Sequence, residues 1–303
     1  MNVIVRVIDS SNFVVRSARA LAPTLRYLMS TEVHVYAFSI SAGILLSFFP
    51  FLIVMLSLCK YVLHWKAAVN AVYFAVDDYF PDVLGAFLRR NFEATVASHR
   101  NVEAISLLLL FFTASGIFEP LEVALNRAWN CKANRHYIKN QLVGLGLILV
   151  CGALMLMSTS LTALNTQWLG EASANWPVTA GVLGLFLFKI AAIPLSMFLL
   201  FLIYWLLPNC KVKPSEILPA AVVVGMLLEV LKYINLMTWP YLRIKLAAEY
   251  GPFVYTVTII LWGFLASMVI LGGAEWAARR ATIRRAALDV GDDRPCVEPA
   301  AAP

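Results

Sequence analysis

Charged side chains stand inside stretches that are otherwise apolar, and any chemistry in this chain would have to be built from them. Glu119 and Glu122 follow the run AISLLLLFFTA and fall within SGIFEPLEVALNRAWN, Ser115 to Asn130. Lys189 lies in GLFLFKIAAIP, Glu229 and Lys232 in VVVGMLLEVLKYINL, and Glu275 in ILGGAEWAAR. Two carboxylates can share acid–base work, but only with partners that bind and orient a substrate. No such constellation surrounds Glu119 and Glu122. His34, His64, His99 and His136 are scattered, with no i, i+4 or HxH pair. GxxxxGK[ST], GxSxG and HExxH are all missing, so neither an ATP-driven pump nor a hydrolase is indicated. The expectation is a non-enzyme with no catalytic residue, no metal and no cofactor. The five cysteines show no CxxC or ligand spacing, which suggests neither a disulfide framework nor a zinc site. Cys59 and Cys151 fall in apolar runs, where cysteine behaves as a small hydrophobe.

The elements holding these residues follow from composition. The chain of 303 residues is 61% hydrophobic and 14% charged, with mean hydropathy +0.77. A soluble domain carries roughly a quarter charged residues. Val33–Cys59, Asn140–Gly170, Ile190–Cys210 and Tyr250–Ala274 contain no Asp, Glu, Lys or Arg. Each can supply the roughly 20 apolar residues that a bilayer core requires. We therefore expect an all-α polytopic membrane protein. Six transmembrane helices are placed near Tyr36–Leu63, Val102–Val123, Leu142–Leu164, Val178–Leu207, Leu218–Leu236 and Val254–Ala277. With both termini inside, the inner segments hold fifteen Lys and Arg residues and the outer ones six. That bias matches the positive-inside rule. The net charge of +6 is accounted for by anionic lipid at the inner leaflet, with no nucleic-acid partner.

Charge within a membrane helix is costly and normally faces protein or water. Ala104 to Phe118 spans only roughly 22 Å at 1.5 Å per residue, short of a hydrocarbon core about 30 Å thick. The second helix must therefore continue through Glu119, Pro120 and Glu122. On it, Glu119, Glu122, Asn126 and Asn130 form a polar line beside Arg127. That line can face headgroups, another helix or a passage open to the cytoplasm. Glu229 and Lys232 share a helix face near mid-membrane, with Lys189 at similar depth on the neighbouring crossing. Either lysine could neutralise Glu229, as a structural pair or as part of a transport pathway. Glu275 follows Gly272, Gly273 and Ala274, which allow close helix packing, and lies near the level of Glu119 and Glu122. Arg127 is the expected counter-charge for these three carboxylates.

The flanking segments are amphipathic or polar. Residues 1–30 read as a cytoplasmic amphipathic segment, because Arg6, Asp9 and Arg16 interrupt any signal-like core. Residues 31–278 form the membrane domain and 279–303 a cytoplasmic, disordered tail. Within the outer segment, about 65–100, Val69, Tyr73, Val76, Phe80, Leu84 and Phe87 recur at helical spacing. This predicts periplasmic interfacial helices, with Asp77, Asp78 and Asp82 on a solvated face and Pro81 at a break or start. YWLLPNCKVKPSEILPAA reads as a rigid hairpin turning at Pro208 and Asn209, the fifth helix starting near Pro219.

Four ordered motifs carry a resemblance: YAFSISAGILLSFFPFLIVMLSL, which contains Pro50; SGIFEPLEVALNRAWN; LLPNCKVKPSEILPAAVVVGMLLEVLK; and EYGPFVYTVTIILWGFLASMVILGGAEW. Over roughly residues 30 to 278 the chain resembles the YihY/BrkB family of bacterial inner-membrane proteins. The resemblance implies six transmembrane helices with both ends cytoplasmic. It also implies a polar helix exit on Glu122, Asn126 and Arg127, a hairpin on Pro208 and Asn209, and last-helix elements on Tyr250, Gly251 and Glu275. Glu119–Pro120, Lys189 and the Pro252 after Gly251 depart from the family pattern. Family members have carried a ribonuclease BN label, for which this sequence offers no metal or acid–base site. Some have been proposed to flip envelope lipids, which implies partners among anionic or lipid A-type lipids. Two functions follow: a transporter or flippase-like exporter of an amphipathic envelope lipid that uses no ATP, or an envelope scaffold that docks a partner.

Overall fold

The computed structural model describes residues 22–62, 64–66, 68–70, 72–73, 89–90, 100–131, 136–172 and 194–292. No β-strand occurs among them. A short helix α1 (22–28) leads into α2 (Thr31–Ser57), which a π-helical turn extends to Val62. Then come α3 (Arg100–Ala128), α4 (Tyr137–Ala172), α5 (Pro194–Leu206), α6 (Pro214–Tyr250) and α7 (Val254–Asp292). Among the described residues, three helices are long and apolar enough to cross a membrane: Thr31–Tyr61, Pro214–Tyr250 and Val254–Ala286. Ile138–Leu154 and Pro194–Leu206 are shorter apolar helices. Lys189 and most of the expected fourth crossing lie outside the described residues.

Several expected boundaries are corrected. Helix α6 begins at Pro214, not Pro219, with Lys213 as its N-cap. Proline is favoured there because its missing N–H would have no intrahelical acceptor. It then runs 37 residues, through Pro219 and Pro240, to Tyr250. At roughly 55 Å it far exceeds the expected Leu218–Leu236 span. Helix α7 continues to Asp292, so residues 279–292 are helix, where disorder was expected. The segment RRATIRRAALD is rich in Ala, Arg and Leu, whose helix propensity favours continuing the helix. Between α6 and α7, Gly251 takes φ +54° and opens the 3-10 turn Gly251–Phe253. Tyr250 and Gly251 thus form a helix break that suits a residue without Cβ.

Helix α2 packs against both α3 and α7, α6 packs along α7, and α4 lies on α3. In lipid, helices associate through close packing and not through exclusion of water, so small residues set the contacts. A Cβ on Gly43 would stand 2.5 Å from the backbone of Gly116, so α2 and α3 approach too closely there for any larger residue. The main core gathers Val33, Ala37 and Ile40 of α2, Phe118, Leu121 and Leu125 of α3, Tyr204 of α5, Ile217 and Val224 of α6, and Leu271 of α7. A second cluster joins Leu52, Met55, Leu56 and Cys59 to Ala68, Val72 and Tyr73, with Val69 packed against it. Val69 and Tyr73, two positions of the outer stripe, therefore pack against the end of α2. Pro50 is buried within α2. The remaining stripe positions, Val76, Phe80, Leu84 and Phe87, lie outside the described residues.

Candidate functional site

Helix α3 passes through Glu119, Pro120 and Glu122 without a break, as the length argument required. It stops at Ala128 in a hydrogen-bonded cap. Asn130 adopts φ +53°, its N–H donates to the Arg127 carbonyl at 3.1 Å, and the Cys131 N–H donates to the Asn126 carbonyl at 2.8 Å. Asparagine tolerates this left-handed position better than most residues, and the two bonds satisfy carbonyls that the helix end would orphan. The expected polar line is thereby broken. Asn130 has left the helix and is exposed, and Glu119 is exposed as well. Glu122 and Asn126 are 5% and 8% exposed, because at their level the chain after α5 closes over the helix.

That closure is the 207–210 turn. Leu207 and Pro208 are fully buried, which carries Asn209 into the bundle. The Asn209 N–H donates to Asn126 Oδ1 at 2.7 Å, and Asn126 Nδ2 donates to Glu122 Oε1 at 3.4 Å. Glu122 Oε2 and both side-chain polar atoms of Asn209 are shielded from solvent and have no hydrogen-bond partner among the described residues. A disulfide between Cys131 and Cys210, with Cα atoms 5.5 Å apart, ties the two turns together beside these residues. It corrects the expectation of no disulfide. The cysteines are 79 positions apart, and spacing alone cannot pair them.

Arg127 does not serve the carboxylates of its own helix. Five positions separate it from Glu122, which places the two roughly 140° apart around the axis. Instead it forms an ion pair with Glu32 and a hydrogen bond with Tyr36, both on α2. Glu275 has its own partners. Thr24 donates to Glu275 Oε2 at 2.6 Å, Arg279 Nη2 donates to Thr24 Oγ1 at 2.8 Å, and Arg279 Nε lies 3.2 Å from Glu275 Oε1. Burial, and next the charge of Glu275, push the Tyr27 phenol up to about 12. Gly272 receives Leu28 of α1, and Gly273 lies against Val224 and Tyr204. The small residues before Glu275 thus admit α1, α5 and α6, as the packing argument expected. Nothing in the sequence flagged Thr24, Glu32 or Tyr36, whose roles arise from helices meeting across large sequence distances.

Of the two lysines expected to neutralise Glu229, Lys232 pairs with it, and Lys189 lies outside the described residues. Lys232 Nζ lies 3.6 Å from Glu229 Oε2, and the lysine side chain is 56% exposed. Pro219 is half-buried in the first turns of α6. At the start of α6, Glu216 accepts two hydrogen bonds from Arg285 of α7, at 2.7 and 3.3 Å. Among the described residues no group of three His, Cys, Asp or Glu side chains could hold a metal ion.

The virulence factor BrkB family matches residues 24–294. A UPF0761 membrane protein of Chlorobium limicola is 28% identical over 262 residues, which cover 83% of this chain and 56% of that protein. One from Tolumonas auensis is 26% identical over 275 residues, covering 88% and 86%. A Bacillus subtilis protein named putative ribonuclease-like protein YfkH is 25% identical over 242 residues, covering 76% and 84%. The chain spans little more than half the length of its Chlorobium relatives. No solved structure matches.

Proposed function

The chain belongs to the virulence factor BrkB family of membrane proteins, and from that premise we propose that it moves an amphipathic envelope lipid across the inner membrane without ATP. In this reading six helices cross the bilayer with both termini cytoplasmic, and the end carrying Glu122, Glu275 and the 207–210 turn faces the cytoplasm. The observation that carries the reading is the Glu229–Lys232 pair. It sits about 22 Å along the helix, within the stretch from Ile217 to Tyr241 that carries no other charge, and its lysine is more than half exposed. Charge at such depth is kept where it meets protein, water or a polar substrate. A zwitterionic pair offers both signs to a lipid headgroup, and the apolar face of α6 around it (Met226, Val230, Leu236, Met237) suits acyl chains. An anionic or lipid A-type headgroup fits the basic excess expected at the cytoplasmic end.

The test is lipid flipping in proteoliposomes, with labelled phospholipids and lipid A-type lipids compared against protein-free vesicles. The expected result is protein-dependent flipping of at least one envelope lipid, slowed in Lys232→Ala and retained in Arg127→Ala, whose exposed ion pair lies at the helix end. Flipping no faster than in protein-free vesicles for every lipid refutes the reading.

A further inference from the structure

Glu122 stands among hydrogen-bond acceptors with its charge unmatched. Among the described residues its carboxylate has one interaction, a 3.4 Å contact from Asn126, and Oε2 has none. An unpaired carboxylate out of water is strongly unfavourable, so such groups acquire a compensating charge or take up a proton, and a protonated Glu122 would give equal Tm in every salt. The described cations nearby are engaged or turned away. Arg127 is bound to Glu32 and Arg279 to Glu275, while Lys211 and Lys213 are exposed. Lys132 and Arg135 lie outside the described residues. Two helix ends reinforce the negative field. Glu122 and Asn126 occupy the last two turns of α3, and Asn209 lies just past the end of α5. Each helix C-terminus presents roughly half a negative charge.

We propose that Glu122, Asn126 and Asn209 hold a monovalent alkali cation between the C-terminal ends of α3 and α5. The donors are hard oxygens, the buried Glu122 Oε2 and the Asn209 amide oxygen, both without other partners. Hard oxygen donors suit alkali and alkaline-earth ions and not zinc or copper. Among the described residues the single carboxylate carries the one full charge of the site, and a singly charged ion neutralises it. Carboxylates and carbonyls at helix C-termini form such sites in other membrane proteins. Asn209 Nδ2 remains to hydrogen-bond a water on the ion. The hydrogen bond from the Asn209 N–H to Asn126 holds the two sides in register. The site does not rest on lipid transport, because it follows from the carboxylate and its surroundings.

The experiment is thermal unfolding of the detergent-purified full chain in sodium, potassium or choline chloride at constant ionic strength, together with equilibrium binding of radiolabelled sodium. An ion that binds only the folded state raises Tm in a saturable way, here by roughly 5 °C at concentrations far above Kd. Wild type should show that rise in sodium or potassium over choline. Glu122→Gln and Asn209→Ala should lose it, while Glu119→Gln keeps it. Equal Tm in all three salts overturns the site, as does an alkali-ion effect that persists in Glu122→Gln. An alkali-ion effect that appears only in Lys132→Gln assigns Glu122 to an internal lysine and also overturns it. The wild-type comparison decides the matter even where a variant fails to fold, and it involves no lipid movement, so its failure is separable from that of the flipping assay.

Discussion

Glu122 and Glu229 are both carboxylates in apolar helices, and the structure treats them in opposite ways. Glu229 has a lysine one turn along the same helix, and the pair opens outward from α6. Glu122 has no cation on its own face of α3, and the 207–210 turn seals it inside the bundle. A charge whose partner stands one turn along the same helix is neutralised whatever packs around it. A charge whose partner must come from elsewhere depends on the packing that encloses it. Glu229 is thus suited to contact something that slides past, and Glu122 to hold something in place.

The largest expected disturbance falls on the enclosed carboxylate. Gly43→Ala places a methyl group against the Gly116 backbone, which cannot yield as a side chain would. We expect a loss of about 3 kcal/mol, since overpacking costs roughly 1–3 kcal/mol and this neighbour is main chain. Alkali-ion dependence should weaken with it, because α3 moves relative to α5. Unfolding by heat or denaturant in detergent, with and without sodium, measures both effects. A variant as stable as wild type would show that the α2–α3 crossing does not position Glu122.

Asn126→Ala comes next. It strips the Asn209 N–H of its acceptor and Glu122 of its donor, at about 2 kcal/mol for a buried polar group left unmade. The same measurement on Asn126→Asp separates the lost acceptor from the lost donor, because Asp keeps only the first. If both variants match wild type, the link between the two turns is incidental.

Glu229→Gln with Lys232→Met is the mildest. Removing both partners leaves no unpaired charge, and a half-exposed pair three residues apart contributes less than about 1 kcal/mol, so stability should barely change. A loss as large as that of Asn126→Ala would erase the contrast between the two sites and make Glu229–Lys232 a structural pair.

Much of this was legible in the sequence because it depends on local pattern. Continuation of the helix through Glu119 and Pro120 followed from counting residues against bilayer thickness. The Glu229–Lys232 pair followed from i, i+3 spacing, and the close packing at Gly272 and Gly273 from residue size. What was not legible depends on tertiary contact. Arg127 meets Glu32 because α2 crosses α3, and Cys131 meets Cys210 because two turns converge. The polar line failed for a related reason. Helical periodicity assigns Glu119 and Asn126 nearly the same face, but only Asn126 lies at the level where the 207–210 turn packs. The ends of α6 and α7 were missed because proline was read as a start signal, and charge as an end of helix.

Lipid flipping with two ion pairs removed in parallel tests the central claim most directly. Glu229→Gln with Lys232→Met removes the mid-helix pair, and Glu216→Gln with Arg285→Met removes the pair that joins the ends of α6 and α7. Proteoliposomes carrying the first variant should lose protein-dependent flipping, and those carrying the second should keep it. Wild-type flipping rates in the first variant would contradict the account.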